Sequence, residues 1–175
     1  MLRILIADDH TVVRKGLRQI LLDEFPAAFI EEVPDAEELI KKAMNGKWDV
    51  VVSDLSMPGR SGLDALQQIK LSYPELPVLI LSIHPEEQYA LRALKSGASG
   101  YLSKDTAPDE LVKAVKKVML GKKYISQAIA EKLANSFSSE SLLSPHENLS
   151  DREFDVMKLL ANGQSVSEIA ERLSL

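Results

Sequence analysis

The feature that most restricts the fold of this chain is an alternation of short apolar runs with amphipathic stretches over about its first 120 residues. The runs that predict strands are Arg3–Ala7, Phe29–Val33, Val50–Ser53, Val78–Ser82 and Gly100–Ser103. Three of them are almost continuous in Val, Ile and Leu, which is typical of strands covered on both faces. Five strands alternating with helices predict an α/β fold with a five-stranded, doubly wound parallel sheet.

Between these runs, apolar residues recur at the three- and four-residue spacing of helices. The clearest stripes are Val13, Leu17, Ile20, Leu21; Ala36, Leu39, Ile40, Ala43; and Leu111, Val115, Val118, Met119. Gly97 and Gly121 stand where the fourth and fifth helices should end, and Pro108 stands where the fifth should begin. These signals predict a helix after each strand.

After Gly121 the alternation ends. Apolar residues four apart predict a linker helix over Ser126–Phe137, and the Ser-rich segment SSESLLSPHEN after it predicts a flexible tether. Helical spacing returns in Asp151–Asn162 and Val166–Leu173. We therefore expect a first domain at residues 1–122, a linker and tether at 123–148, and the start of a helical domain at 149–175.

Two capping boxes mark the starts of the last two predicted helices. Ser150 is followed by Glu153, and Ser165 by Glu168, and in each pair one side chain can satisfy the other residue's free backbone N–H. Gly163 lies between the two helices. Two helices joined by a short, glycine-containing turn have the layout of a helix-turn-helix.

The composition of the chain argues against several kinds of site and binding partner. The absence of cysteine excludes disulfides and thiolate metal sites and fits a reducing cytoplasm, where we expect the protein to reside. A net charge of −5 argues against non-specific binding of nucleic acid or anionic membranes by the whole surface. No apolar run reaches the roughly 20 residues that a membrane span needs, so we expect no span. Met1 leads directly into a strand-like run, so we expect no signal peptide.

Polar residues lie at the ends of the predicted strands, where open parallel sheets bind their ligands. Asp8 and Asp9 follow the first strand and Asp54 the third, Ser82 closes the fourth, and Lys104 follows the fifth. By analogy with flavodoxin-like sheets, the strand order 2-1-3-4-5 would make strands one and three neighbours. The three carboxylates would then converge.

Such a cluster suggests metal-assisted phosphoryl transfer. Three close carboxylates repel one another unless a cation joins them, and Mg²⁺ prefers oxygen ligands. A carboxylate can also accept a phosphoryl group. Transfer needs positive charge and a hydrogen-bond donor at the phosphoryl oxygens, which Lys104 and Ser82 can supply.

Four motifs at these strand ends resemble the receiver domain of two-component response regulators, over residues 1 to about 122. They are ADDH at Ala7–His10, DLSMPGRSG at Asp54–Gly62, LS at Leu81–Ser82 and YLSK at Tyr101–Lys104. The segment Leu149–Leu175 resembles the opening of the LuxR-type helix-turn-helix, so the chain is similar to regulators of the NarL/FixJ type. Asp105 follows Lys104 where many receivers have proline.

The resemblance implies a role for each matched residue. Asp54 would accept the phosphoryl group from a sensor histidine kinase, and Lys104 would be the family's invariant cation. Mg²⁺ would be held by Asp8, Asp9, Asp54 and the backbone carbonyl of Ser56. Ser82 and Tyr101 would form the switch pair, with Ser82 moving to the phosphoryl group and Tyr101 turning inward. Ser56 and His84 would flank the path of attacking water and tune dephosphorylation.

The implied function is a phosphorylation-dependent switch of a DNA-binding output, not a separate enzyme activity beyond the protein's own phosphorylation and dephosphorylation. We expect a phosphorylation-linked homodimer formed through the fourth and fifth helices and strand five. The third, recognition helix of the LuxR-type domain would follow Leu175, and residues 150–175 hold three basic and five acidic residues. Since phosphate contacts need the opposite sign, we expect the complete protein, and not this chain, to bind promoter DNA.

Particular residues argue against two other functions, and a third remains open. A phosphatase with an aspartyl nucleophile would need a second acid two residues after Asp54, where Ser56 stands. A flavin or nucleotide carrier would need an anion cradle after strand one, where Asp8 and Asp9 would repel phosphate. A receiver that signals through protein contacts alone, without DNA binding, remains an alternative.

Overall fold

The computed structural model describes residues 1–127, 129–131, 134, 149 and 151–173, which fall into two compact units, Met1–Glu131 and Lys132–Leu175. The first unit contains β1 Arg3–Ala7, α1 Thr11–Glu24, β2 Phe29–Val33, α2 Ala36–Asn45, β3 Val50–Asp54, α3 Gly62–Ser72, β4 Val78–Ser82, α4 Glu86–Lys95, β5 Gly100–Ser103 and α5 Ala107–Met119. The second contains α6 Asp151–Ala161 and α7 Val166–Arg172.

The first unit is built on one parallel sheet with the strand order β2-β1-β3-β4-β5, which confirms the predicted fold class and order. The strands agree with the predicted runs except that β3 is one residue longer. Asp54, expected just after the strand, is its last residue because it still pairs with Leu81 of β4. Every residue of β3 and β4 is buried, as strands covered by helices on both faces should be.

The helices bury the predicted stripes against this sheet. All four stripe residues of α2 are buried, as are Leu17 and Leu21 of α1. Met119 is an exception at 43% exposed, because α5 ends there. Gly97 and Gly121 follow the ends of α4 and α5 with φ of 100° and 73°, as the sequence predicts for helix stops.

The second unit contains the two predicted helices, each one residue shorter than expected at its C-terminal end. Ser165 and Glu168 form the predicted capping box, and Gly163 has a φ of 78° in the turn between the helices. Ser150 and the predicted tether at 138–148 lie outside the described residues. Of the predicted linker helix, residues 127, 129–131 and 134 are helical, and its other residues from 128 to 137 also lie outside. Within the described part of the chain, no helix is long and apolar enough to cross a membrane.

A close approach at Gly62 joins α3 to the end of β3. A Cβ atom at Gly62 would lie 1.9 Å from the main-chain oxygen of Asp54, and neither backbone can move away because the Gly62 N–H donates to the Leu55 oxygen at 2.8 Å. We therefore expect Gly62→Ala to lower the free energy of unfolding by roughly 3 kcal/mol, at the upper end of the range for overpacking.

The matched control for this substitution is Gly16→Ala. Gly16 lies within α1, and apart from its chain neighbours and the backbone of its own helix no atom stands within 4 Å of the position where its Cβ would be. Alanine should therefore raise the free energy of unfolding by about 0.5–1 kcal/mol through helix propensity. Urea denaturation of both variants measures the contrast, and equal stability of Gly62→Ala and the unsubstituted protein would contradict the close approach.

Candidate functional site

Three carboxylates meet at the carboxyl edge of the sheet, where the sequence predicts them. Asp8 and Asp9 follow β1, and Asp54 ends the neighbouring strand β3. One potential ligand atom from each, together with one from His10, lies within 4.8 Å of the others. Asp8 and Asp54 are buried, whereas the Asp9 side chain is 26% exposed. The adjacency of β1 and β3 is what brings these acids together.

Lys104 supplies a cation to this cluster from the residue after β5. Its Nζ lies 2.7 Å from Oδ2 of Asp54 and 2.8 Å from Oδ2 of Asp8, and its side chain is 12% exposed. The Lys104 N–H donates to the main-chain oxygen of Ser82 at 2.8 Å, so the loop after β5 is attached to the end of β4. The lysine is therefore held between two carboxylates of neighbouring strands.

One lysine does not neutralise the cluster. Burial raises the pKa of the Asp54 carboxyl, and the charge of Asp8 adds to the shift, while the hydrogen bond and charge of Lys104 oppose it only in part. Burial by itself would lower the pKa of Lys104, but the hydrogen bond to Asp54 and the charges of Asp54 and Asp8 outweigh it and raise that pKa. Lys104 thus stays charged, but its single positive charge does not fully offset the burial of ionised Asp54 beside Asp8.

The donor set fits a hard divalent cation. Within the described residues, Asp8 Oδ2 and Asp9 Oδ1 are buried carboxylate oxygens without an aligned hydrogen bond. Asp8 Oδ2 has the charge contact to Lys104, and Asp9 Oδ1 lies 2.8 Å from Nδ1 of His10. Carboxylate oxygens with spare acceptor capacity are the ligands that Mg²⁺ prefers.

The predicted switch and tuning residues are connected through His84. Its N–H donates to Oγ of Ser82 at 2.9 Å, and its main-chain oxygen accepts from the hydroxyl of Tyr101 at 3.1 Å. Its ring nitrogen Nε2 lies 3.2 Å from Oγ of Ser56. The Ser56 N–H in turn donates to Oδ1 of Asp54 at 3.3 Å. All four residues are therefore linked by hydrogen bonds to the mouth of the acidic cluster.

The position of Tyr101 bears on its expected part in the switch. The resemblance implies that Tyr101 turns inward when the protein is phosphorylated, and that movement stays a prediction. Tyr101 is 2% exposed in this structure and already bonded to the main chain of His84. Its burial follows from its place in β5, whose first three residues are all buried.

Two neighbours of the site were given no role from the sequence. His10, the last residue of the ADDH motif, contacts Asp8 and Asp9 through Nδ1. The guanidinium of Arg14 donates to the main-chain oxygen of Asp8. No side-chain pattern in the sequence points to this contact of Arg14, because the partner is a main-chain oxygen.

Comparison with known protein families agrees with the fold. Residues 4–116 match the response regulator receiver domain, and residues 147–175 match the bacterial regulatory proteins of the luxR family. The response regulator UvrY of Escherichia coli strain K12 is 38% identical over 176 residues, which cover 100% of this chain and 81% of UvrY.

Solved structures give the same result. RcsB of Salmonella enterica serovar Typhimurium, bound to promoter rprA with the phosphomimetic BeF3⁻, superposes with a TM-score of 0.69 at 27% identity, over 99% of this chain and 84% of that one. TrrA of Thermotoga maritima in complex with Mg²⁺ and BeF superposes with a TM-score of 0.60 at 32% identity, over 67% and 98%. The chain belongs to the response regulators, transcription-regulating proteins of two-component systems, and combines a receiver domain with a LuxR-type DNA-binding domain.

Proposed function

We propose that this chain receives a phosphoryl group on Asp54 from a sensor histidine kinase, in a Mg²⁺-dependent reaction, and thereby switches a DNA-binding output. The observation that carries the proposal is the contact of Lys104 Nζ with both Asp54 and Asp8, inside a cluster of three carboxylates. An oxygen of Asp54 attacks phosphorus, the bond from phosphorus to the donor breaks, and an aspartyl phosphate forms.

The chain's own residues hold the reactants in place. Lys104 would keep its charge beside the phosphoryl oxygens once they displace the carboxylate from its Nζ. Mg²⁺, held by Asp8, Asp9, Asp54 and the backbone carbonyl of Ser56, would supply further positive charge to those oxygens. The Ser56 N–H holds Oδ1 of Asp54, which leaves the carboxylate oriented for attack.

The switch would use the hydrogen bonds at His84. Ser82 Oγ now accepts from the His84 N–H, and the proposed active form requires the Ser82 hydroxyl to donate to a phosphoryl oxygen. Tyr101, already buried, would exchange its bond to the His84 oxygen for a new packing position. Phosphorylation would therefore bias an equilibrium between two arrangements of α4 and β5 and favour a homodimer through these elements and α5.

The likeness to TrrA, solved with Mg²⁺ and BeF, supports the metal and the phosphoryl site. The likeness to RcsB, solved on promoter DNA, supports the DNA-binding output of the complete protein. A receiver that acts through protein contacts alone is the alternative, and it is disfavoured by the LuxR-type match at residues 147–175.

The direct test uses the purified chain, a small phosphodonor and Mg²⁺. Intact-protein mass spectrometry should show the gain of one phosphoryl group, which is absent when a chelator removes the metal. Reduction of the acyl phosphate followed by peptide mapping should locate it on Asp54. A stable modification on another residue, or labelling that depends on Zn²⁺ instead, would overturn the proposal.

The lifetime of the phosphorylated form should depend on the pair formed by Ser56 and His84. Because their side chains meet 3.2 Å apart beside Asp54, removing either one opens or reshapes the path of water to phosphorus. We expect Ser56→Ala and His84→Ala to change the autodephosphorylation half-life several-fold while Mg²⁺ affinity stays within a factor of about two. Unchanged half-lives in both variants would retire the idea.

A further inference from the structure

The guanidinium of Arg14 is attached to the main chain of the loop that carries the acidic cluster. Its Nη1 donates to the main-chain oxygen of Asp8, and its Nη2 donates to Oγ1 of Thr11 at 3.2 Å. The Arg14 side chain is only 13% exposed. The guanidinium of Arg14 therefore bridges Asp8, the residue after β1, and Thr11, the first residue of α1.

Helix formation does not explain this arrangement. The start of α1 has no acidic residue in its first turn, and its N-cap residue, His10, makes no capping hydrogen bond through its side chain. A positive charge near a helix N-terminus is also unfavourable. Arg14 is the fourth residue of α1, and its side chain reaches back to the main chain of the loop that precedes the helix.

The bonded oxygen belongs to the peptide group that joins Asp8 to Asp9. The N–H of Asp8 donates to the Val33 oxygen at 3.3 Å, and Oδ1 of Asp8 accepts from the His10 N–H at 2.8 Å. With the carbonyl held by Arg14, the main chain of Asp8 is restrained at both ends. The orientation of that peptide sets the direction in which the Asp9 carboxylate leaves the chain.

We propose that Arg14 is a positioning residue for the metal site and holds the Asp8–Asp9 peptide in the orientation that lets both carboxylates bind one cation. This inference rests on the proposed function, which places Mg²⁺ at Asp8 and Asp9. The side-chain hydrogen bonds of Arg14 go to the main chain of Asp8 and to Thr11, and not to a carboxylate oxygen of the cluster. Groups that hold metal ligands in place typically change the affinity by roughly 10- to 100-fold when they are removed.

The chain offers a matched control in Arg18, one helical turn further along α1. The Arg18 Nε lies 3.5 Å from Oε1 of Glu32, whose other oxygen lies 3.9 Å from Nε of Arg14. Both arginines therefore share one acidic partner, and the contact to the Asp8 carbonyl belongs to Arg14. Substituting Arg18 removes the same charge from the same surface and leaves the Asp8–Asp9 peptide restrained.

The experiment is a calorimetric titration of the whole chain with Mg²⁺, compared across Asp9→Asn, Arg14→Ala, Arg14→Lys and Arg18→Ala. The unsubstituted protein and Arg18→Ala should bind alike, and Asp9→Asn should lose most of the affinity. Arg14→Ala should bind about 10-fold or more weakly. Arg14→Lys, which keeps the charge but cannot bridge Asp8 and Thr11, should remain several-fold weaker. Thermal unfolding in chelator should show that each variant is folded.

The outcomes separate the two proposals. If the unsubstituted protein does not bind Mg²⁺, the proposed function fails and the role of Arg14 fails with it. If it binds and Arg14→Ala binds equally well, only the role of Arg14 is overturned. Equal losses in Arg14→Ala and Arg18→Ala would also overturn it, since they would assign the effect to charge. If Arg14→Ala does not fold, full affinity in Arg14→Lys is the result that refutes positioning.

Discussion

Asp54→Asn should gain no phosphoryl group under conditions in which the unsubstituted protein is labelled to completion. An amide cannot form the acyl phosphate, and within the described cluster Asp54 is the acid that contacts both Lys104 and the Ser56 N–H. The loss should exceed about 1000-fold in rate, since removal of a nucleophile is among the largest single effects on catalysis. Mass spectrometry after timed exposure to the phosphodonor measures it.

Asp49→Asn is the matched control. Asp49 lies directly before β3, at the opposite end of the strand from Asp54. Asp49 accepts a hydrogen bond from the Arg3 N–H at 2.7 Å, which an asparagine oxygen can also accept. This variant should be labelled at the rate of the unsubstituted protein. Labelling of Asp54→Asn to a comparable extent would show that another residue is the acceptor.

Asp54→Asn should also be more stable than the unsubstituted protein in chelator at neutral pH. The folded-state pKa of Asp54 is raised, chiefly by burial, so the native state binds that proton more tightly than the unfolded chain does. Stability is therefore lost as the pH rises from the ordinary carboxyl range through the folded pKa, and the loss is complete above it. Asparagine does not ionise, so urea denaturation across this range should show the two proteins diverging as the pH rises.

Lys104→Met should retain Mg²⁺ binding and lose most of its labelling. The ammonium of Lys104 lies 2.7 Å from Asp54, where it can stabilise charge on the transferred group. Removing one such donor from a transition state lowers the rate by roughly 100- to 1000-fold. Because Lys104 competes with the metal for Asp8 and Asp54, the Mg²⁺ affinity should be unchanged or higher.

Lys70→Met serves as the control for Lys104→Met. Lys70 is also a partly buried lysine, but its Nζ donates to main-chain oxygens of Pro74 and Leu76 in the loop between α3 and β4. Its loss should leave labelling unchanged. If Lys104→Met is labelled at the normal rate while Mg²⁺ still binds, the lysine is a structural partner of the carboxylates and not part of the transfer.

The sequence was sufficient for the architecture because the relevant signals are local. Continuous apolar runs, stripes such as that of α2, and stops such as Gly97 each depend on a few neighbouring residues. The position of Asp54 followed from the end of its strand and was wrong by one residue only because pairing with Leu81 extends β3.

The contacts that could not be predicted from the sequence join residues that are far apart in the chain. The bond between Ser56 and His84 joins residues 28 positions apart, and the Tyr101 hydroxyl meets the main chain of His84 from another strand. The contact of Arg14 with Asp8 is made to a carbonyl oxygen, which every residue has and no side-chain pattern reveals. Such contacts follow from packing, and periodicity does not encode them.

The two outer strands of the sheet also affect whether molecules associate strand to strand at high concentration. A free strand edge is a template for another molecule's strand. Beyond β5, the Tyr124 N–H donates to the Ser99 oxygen at 2.8 Å, and the Tyr124 oxygen accepts from the Tyr101 N–H at 3.2 Å. On the other side, β2 carries the charged residues Glu31 and Glu32, which pair with Lys42 and with Arg14 and Arg18 of neighbouring helices. Charged residues on an edge strand disfavour the addition of another strand. Intermolecular strand addition is thus disfavoured at both edges, and the edge of β5 is covered in part by the segment at Tyr124 that follows α5.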